Sequence, residues 1–121
     1  MSERIYHVPL TIADEGTTST TFSSRDHADP DIRRGYKILG IVCPVTIGTK
    51  VSVHHSLDGT TFYPQVDVSG NAFEVATSTT TAQYHDFLVY DIAPLPYVRL
   101  VSDASETAGP LTFTLVIATR G

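Results

Sequence analysis

Acid–base, nucleophilic or metal chemistry in this sequence would have to come from five histidines, thirteen carboxylates and a single cysteine. None of them falls into a spacing that a known mechanism requires. There is no G-x-S-x-G turn to present a strained serine, and no H-E-x-x-H to set two imidazoles on one helical face beside a general base. Walker A and G-x-G-x-x-G phosphate loops are missing as well. His54 and His55 are adjacent. Neighbours on a strand point to opposite faces, so the pair cannot grip one ion from regular β geometry. His54 is expected at the surface or an interface, and His55 as a packed imidazole on an apolar face. The run Asp26-His27-Ala28-Asp29-Pro30-Asp31 offers oxygen ligands at alternating positions, which suits a hard cation. It lacks the glycine and the terminal glutamate of an EF-hand loop, and it reads as a solvated acidic loop. Cys43 has no second cysteine for a disulfide or a zinc site. Inside the apolar run Ile38 to Cys43 it reads as a buried small hydrophobe. The expectation is a protein that is not an enzyme and carries no cofactor and no metal.

Tyr36, Tyr63, Tyr84, Tyr90 and Tyr97 can in principle form a stacking platform for sugars or bases. Without tryptophan in the chain, they read as the rims of a β-core. The formal net charge of −5 removes the electrostatic footprint of a nucleic-acid binder and of a protein that docks on anionic lipid. No apolar run approaches the ~20 residues that cross a bilayer. Met1 to Val8 has no signal-peptide core, and a lone cysteine that cannot form an internal disulfide is compatible with folding in a reducing cytosol.

The elements follow from a period-two apolar pattern with turn signals about every ten residues. Tyr6, Val8, Leu10 and Ile12 share one face of the first segment, and Ile5, His7, Pro9 and Thr11 the other. Pro9 cannot donate to a ladder, which puts residues 1–10 at a sheet edge or in an extended arm. Thr17 to Ser23 is a polar strand candidate. Ser24 to Arg34 is a charged loop with a helical turn opened by Asp29-Pro30. From Gly35 to Cys43, Tyr36, Ile38 and Val42 are expected on one face and Leu39, Ile41 and Cys43 on the other. Apolar residues on both faces imply a strand covered on both sides. Val51, Val53 and His55 alternate with Lys50, Ser52, His54 and Ser56. Asp58-Gly59 marks a tight hairpin, since Gly59 tolerates φ > 0. Further strands are expected over Ala72 to Ala76, Tyr84 to Ile92, Tyr97 to Ser102 and from Leu111 onward. Thr-rich runs such as Thr17 to Thr21 suit a half-exposed pleated surface. Eight or nine strands without a helical stripe predict an all-β chain. Its architecture is a two-sheet antiparallel β-sandwich, jelly-roll-like, in one domain spanning 1–121.

Val51 to Pro64, with its S-x-D-G-T-x-F hairpin, and Leu95-Pro96-Tyr97-Val98-Arg99-Leu100-Val101-Ser102 resemble small β-sandwich structural proteins of tailed bacteriophages, above all capsid decoration (cement) proteins. The likeness covers roughly residues 38–120. A weaker resemblance links the same hairpin and Y-V-R-L strand to discoidin-like sandwiches, which bind glycans or lipids. The phage resemblance implies a virion structural protein, made in the bacterial cytoplasm and carried on the capsid surface. It also implies a homotrimer that clamps subunits of the major capsid protein; a tail or adaptor component is the neighbouring reading. Contacts to the shell or between subunits are then expected from Arg4, Tyr6 and His7 in the N-terminal segment, from Arg25, Arg33 and Arg34 in the charged loop, and from His54 and Arg99 on strands. Arg99 is expected to pair with Asp86 or Asp91, or to cross a subunit boundary.

Overall fold

Leu111, Phe113, Leu115 and Ile117 point the same way along the last strand, and the fold supplies a second sheet for them to bury against. The computed structural model describes residues 4–87 and 94–119. Within them run β1 (Arg4–Ile12), β2 (Phe22–Ser23), α1 (Pro30–Arg33), β3 (Tyr36–Cys43), β4 (Lys50–Ser56), β5 (Phe62–Pro64), β6 (Glu74–Ala76), β7 (Gln83–Asp86), β8 (Tyr97–Ser102) and β9 (Leu111–Thr119). The first sheet has the order β1-β9-β3-β7 and the second β2-β8-β4-β5, with the short β6 also on β4. Every pairing is antiparallel. With β6 set aside, the first strand pairs with the last, β2 with β8, β3 with β7 and β4 with β5. That is a long hairpin of four strand pairs wound into two layers, a jelly roll. Leu10, Ile12, Ile38, Ile41, Val51, Val53, Leu100, Phe113, Leu115 and Ile117 fill the space between the layers. Each such side chain contributes about 1.5–3 kcal/mol by leaving water.

β1 is an edge strand rather than a free arm: it pairs with β9 along its whole length, and Pro9 sits opposite Thr114. An edge is where a residue without an N–H is tolerated. The expected helical turn is α1. Asp29 caps it by accepting from the Asp31 N–H, Pro30 occupies the first turn, and Ile32 is buried beneath it. The hairpin at Asp58-Gly59 also forms, with Gly59 at φ 82°. It is wider than a two-residue turn, because Asp58 Oδ1 accepts from the N–H groups of Thr60 and Thr61 and holds a five-residue loop from 57 to 61. Thr17 to Thr21 joins β8 only through an isolated bridge and single hydrogen bonds, so the expected second strand shrinks to Phe22–Ser23. Of the strand expected over Tyr84 to Ile92, residues 88–92 lie outside the described region.

One expectation is overturned. The register of β3 against β9 jumps between Ile38 and Gly40, leaving Leu39 as the extra residue of a β-bulge. The bulge resets the alternation, so Ile38, Ile41 and Cys43 all reach the core while Val42 turns outward. β3 is therefore apolar mainly on one face, not two. Cys43 is fully buried, and its burial pushes the thiol up to about 11. Directly after the bulge, Gly40 allows β7 to come close: a Cβ there would lie 2.6 Å from the His85 carbonyl oxygen.

The end of the sandwich away from α1 is closed by Glu106. Its carboxylate accepts from the Ile47 N–H (2.7 Å), the Gly48 N–H (3.0 Å) and the Ser102 hydroxyl (2.8 Å). Its backbone also bonds to Glu15 and Gly16. The loops at Glu15–Gly16 and Ile47–Gly48 are thereby tied to one buried residue, the first by its backbone and the second by its side chain.

Candidate functional site

The outer face of the second sheet collects charge and rings. Along β4 and β8, Val51, Val53, His55, Val98 and Leu100 turn inward. The register then sets Ser52 opposite Val101, His54 opposite Arg99 and Ser56 opposite Tyr97 on the outside. β5 continues this face, with Phe62 opposite Ser56 and Pro64 opposite His54. Arg99 reaches across β4, and its guanidinium carbon lies 3.8 Å from the centre of the Phe62 ring. Arg25, from the loop after β2, sits 5.7 Å from the centre of the Tyr97 ring. Both distances are in the range of cation–π attraction. His54 Nε2 lies 3.1 Å from the Ser52 hydroxyl. Burial, then the Arg99 charge, then His55 hold the His54 imidazole below its ordinary value, so it is neutral at pH 7. Lys50 joins the same face at the β6 side, paired with Glu74 at 3.1 Å.

Arg25, His54 and Arg99, drawn from three distant segments, therefore lie on one surface. Arg99 is held by a ring among the described residues, not by a carboxylate, and its Nε is buried without a hydrogen-bond partner. The pairing expected with Asp86 meets a geometric obstacle. Arg99 faces outward from the second sheet, whereas Asp86 belongs to β7 in the first. Asp91 lies outside the described region.

Arg4, Tyr6, Arg33 and Arg34 gather elsewhere, at the end of the sandwich covered by α1. Asp31 is 3.7 Å from Arg4 and 3.2 Å from Arg34. The Tyr6 hydroxyl donates to the Asp29 carboxylate, and that bond, with the Asp31 N–H, holds the Asp29 carboxyl below the usual range. Arg33 donates to the carbonyls of His27 (2.6 Å) and Ala28 (3.2 Å). These groups lock the charged loop onto β1. The oxygens that alternate along that loop are thus already engaged by protein donors. His7 stands apart from both groups, on the outer face of the first sheet opposite Val116.

A third feature was not read from the sequence. A cleft of about 820 Å³ opens at the sandwich edge, between β5–β6 of the second sheet and β7 of the first. His55 enters it from β4. His85 enters it from β7, where Tyr84 and Asp86 take the outward positions beside Val42 and Gly40. The only sequence signal for this was the alternation of β7, which is too short to show which face would meet His55. Among the described residues no group of three or more His, Cys, Asp or Glu is placed to hold a metal ion. No family model, curated protein or solved structure matches the chain.

Proposed function

We propose that this chain is a non-enzymatic virion structural protein, a capsid decoration protein that docks on the assembled head of a tailed phage through the outer face of its second sheet. The observation that carries the reading is the pair of arginines laid on rings, Arg25 on Tyr97 and Arg99 on Phe62, beside His54. On a chain of net charge −5, this face is a local concentration of cations. Arginine and aromatic side chains dominate the energetic centres of interfaces. A guanidinium already stacked on a ring loses less conformational freedom when a carboxylate meets it. The natural counterpart is an acidic patch on the major capsid protein.

The jelly roll agrees with this reading, since viral shells use that architecture, although fold alone does not assign function. Self-association as a trimer is assigned to the outer face of the first sheet, where Ile5, Val42 and Tyr84 are exposed. A trimer that touches several shell subunits converts weak contacts into tight attachment through effective concentration. It stabilises the assembled lattice because it binds that state alone.

The test is co-sedimentation of the purified protein with heads of the phage that encodes it, alongside light scattering for its mass. A trimer that sediments with expanded heads, and is released as salt rises, is expected. Arg99→Ala should weaken attachment by about 30-fold per site, the equivalent of roughly 2 kcal/mol at a central interface arginine. A folded monomer that leaves heads bare at low salt would sink the proposal.

A further inference from the structure

We infer that a carboxylate docking on Arg99 brings a proton onto His54, so that this face grips an acidic partner more tightly as pH falls. This regulates the docking face proposed above and rests on that reading. Arg99 and His54 are register partners on the outside of the second sheet, and both are partly exposed. Side chains so placed start from Cβ atoms about 4.5–5.5 Å apart, so one carboxylate can touch both. Arg99 is ready for it. Its guanidinium lies on the Phe62 ring and makes no hydrogen bond or ion pair with any described residue.

His54 is held uncharged by what surrounds it. Directly opposite stand Arg99 on β8 and Pro64 on β5. Burial, then the Arg99 cation, then His55 lower its affinity for a proton, and no carboxylate offsets them. Arg25, on Tyr97, is a further cation of the face. The acids on adjoining elements are engaged. Glu74 of β6, opposite Ser52, pairs with Lys50, and Asp58 accepts from the Thr60 and Thr61 N–H groups of its own loop. The Ser52 hydroxyl donates or accepts, so its bond to His54 Nε2 survives in either charge state of the ring. An arriving carboxylate cancels the Arg99 charge and sets an acceptor beside the ring, and both changes favour the imidazolium. The ring is partly buried already, so docking strips little further water from it and the contact charge prevails. The bound state thus keeps the His54 proton to a higher pH than the free state does. Affinity rises as pH falls through the bound value and levels off below the free one.

The experiment is an NMR titration of the whole chain at low salt with an acetylated, amidated tetra-aspartate peptide, at about pH 7.5 and about pH 5.5, where aspartate stays ionised. Saturable binding is expected at both values. It should be at least ~3-fold tighter at the lower one, under the ~100-fold ceiling that a single proton sets over this window. The titration midpoint of the His54 ring should move up when peptide is bound. His54→Gln, which keeps a hydrogen-bonding group for Ser52, should shrink the pH effect to under ~1.5-fold. A peptide that does not bind, equal or weaker binding at the lower pH, an unmoved His54 midpoint, or a pH effect that survives in His54→Gln would each overturn the inference. Head sedimentation at the same two pH values separates it from the docking reading. Heads decorated equally at both overturn the proton linkage and leave docking standing. Bare heads sink the docking reading, and the peptide titration alone then decides the linkage.

Discussion

Glu106 is fully buried, yet its carboxylate is matched by two backbone N–H groups and a hydroxyl. A charge can be buried only when it is paired or hydrogen-bonded, and this one is held by donors fixed in loops. Removing it leaves the donors of Ile47 and Gly48 orphaned. Glu106→Ala is expected to cost about 3 kcal/mol and to lower the melting temperature by roughly 10 °C, read by calorimetry and by urea unfolding. A loss under ~1 kcal/mol would show that water replaces the carboxylate without penalty. Nothing in the polar stretch Asp103 to Pro110 separates Glu106 from a solvated acid. Its backbone donors, Ile47 and Gly48, are 59 and 58 residues away in the chain, so no local pattern could reveal them. Arg99 is the mirror case. Its outward strand position was legible from alternation, but its partner was not, because a cross-strand ring depends on register.

At the scale of the element, most strands were legible because one face of each is apolar and the other polar. β3 was not, because a single extra residue at Leu39 shifts the alternation by one and places Val42 outside. A bulge has no period of its own. Gly40 is its companion. A Cβ there would meet the Tyr84 hydroxyl at 2.5 Å and the His85 carbonyl at 2.6 Å, and the second of these is backbone that cannot swing aside. Gly40→Ala should therefore cost about 1–3 kcal/mol through overpacking, more than the ~0.4–1 kcal/mol gained by restricting the unfolded chain. Hydrogen exchange is the discriminating measurement. The Phe87 N–H, which donates to the Leu39 carbonyl, and the β7 amides should lose protection first. Unchanged protection in β7 would show that the strand shifts without loss.

For the whole molecule, acid is the sensitive direction. His55 is held below the ordinary imidazole value chiefly by burial, partly opposed by the Gln65 bond, and His54 by burial and then by the Arg99 charge. The folded state therefore binds these protons less readily than the unfolded chain. Stability is intact above about pH 6.5 and is lost as pH falls from there through the lowered folded values. Asp29, Asp58, Asp67 and Asp103 are lowered as well, each mainly by hydrogen bonds to its carboxylate. Their share is present above about pH 4 and is lost below it. Melting temperature against pH should show two descending steps on acidification, and His55→Phe should flatten the first. A rise in stability between pH 6.5 and 5 would contradict the assignment.

Alternation and turn chemistry by themselves determined an all-β chain of two stacked antiparallel layers, the edge position of β1, the capped turn at Pro30 and the opposite facing of His54 and His55. These are short-range consequences of where apolar side chains and special backbone angles fall. The wrapping of a four-pair hairpin into a jelly roll with a defined strand order, the meeting of Arg25 with Tyr97 and of Arg99 with Phe62, the Glu106 latch and the lining of one cleft by both His55 and His85 were decided by tertiary structure. Each joins residues whose separation along the chain is closed only when the sheets pack, and cross-sheet proximity leaves no period in the sequence.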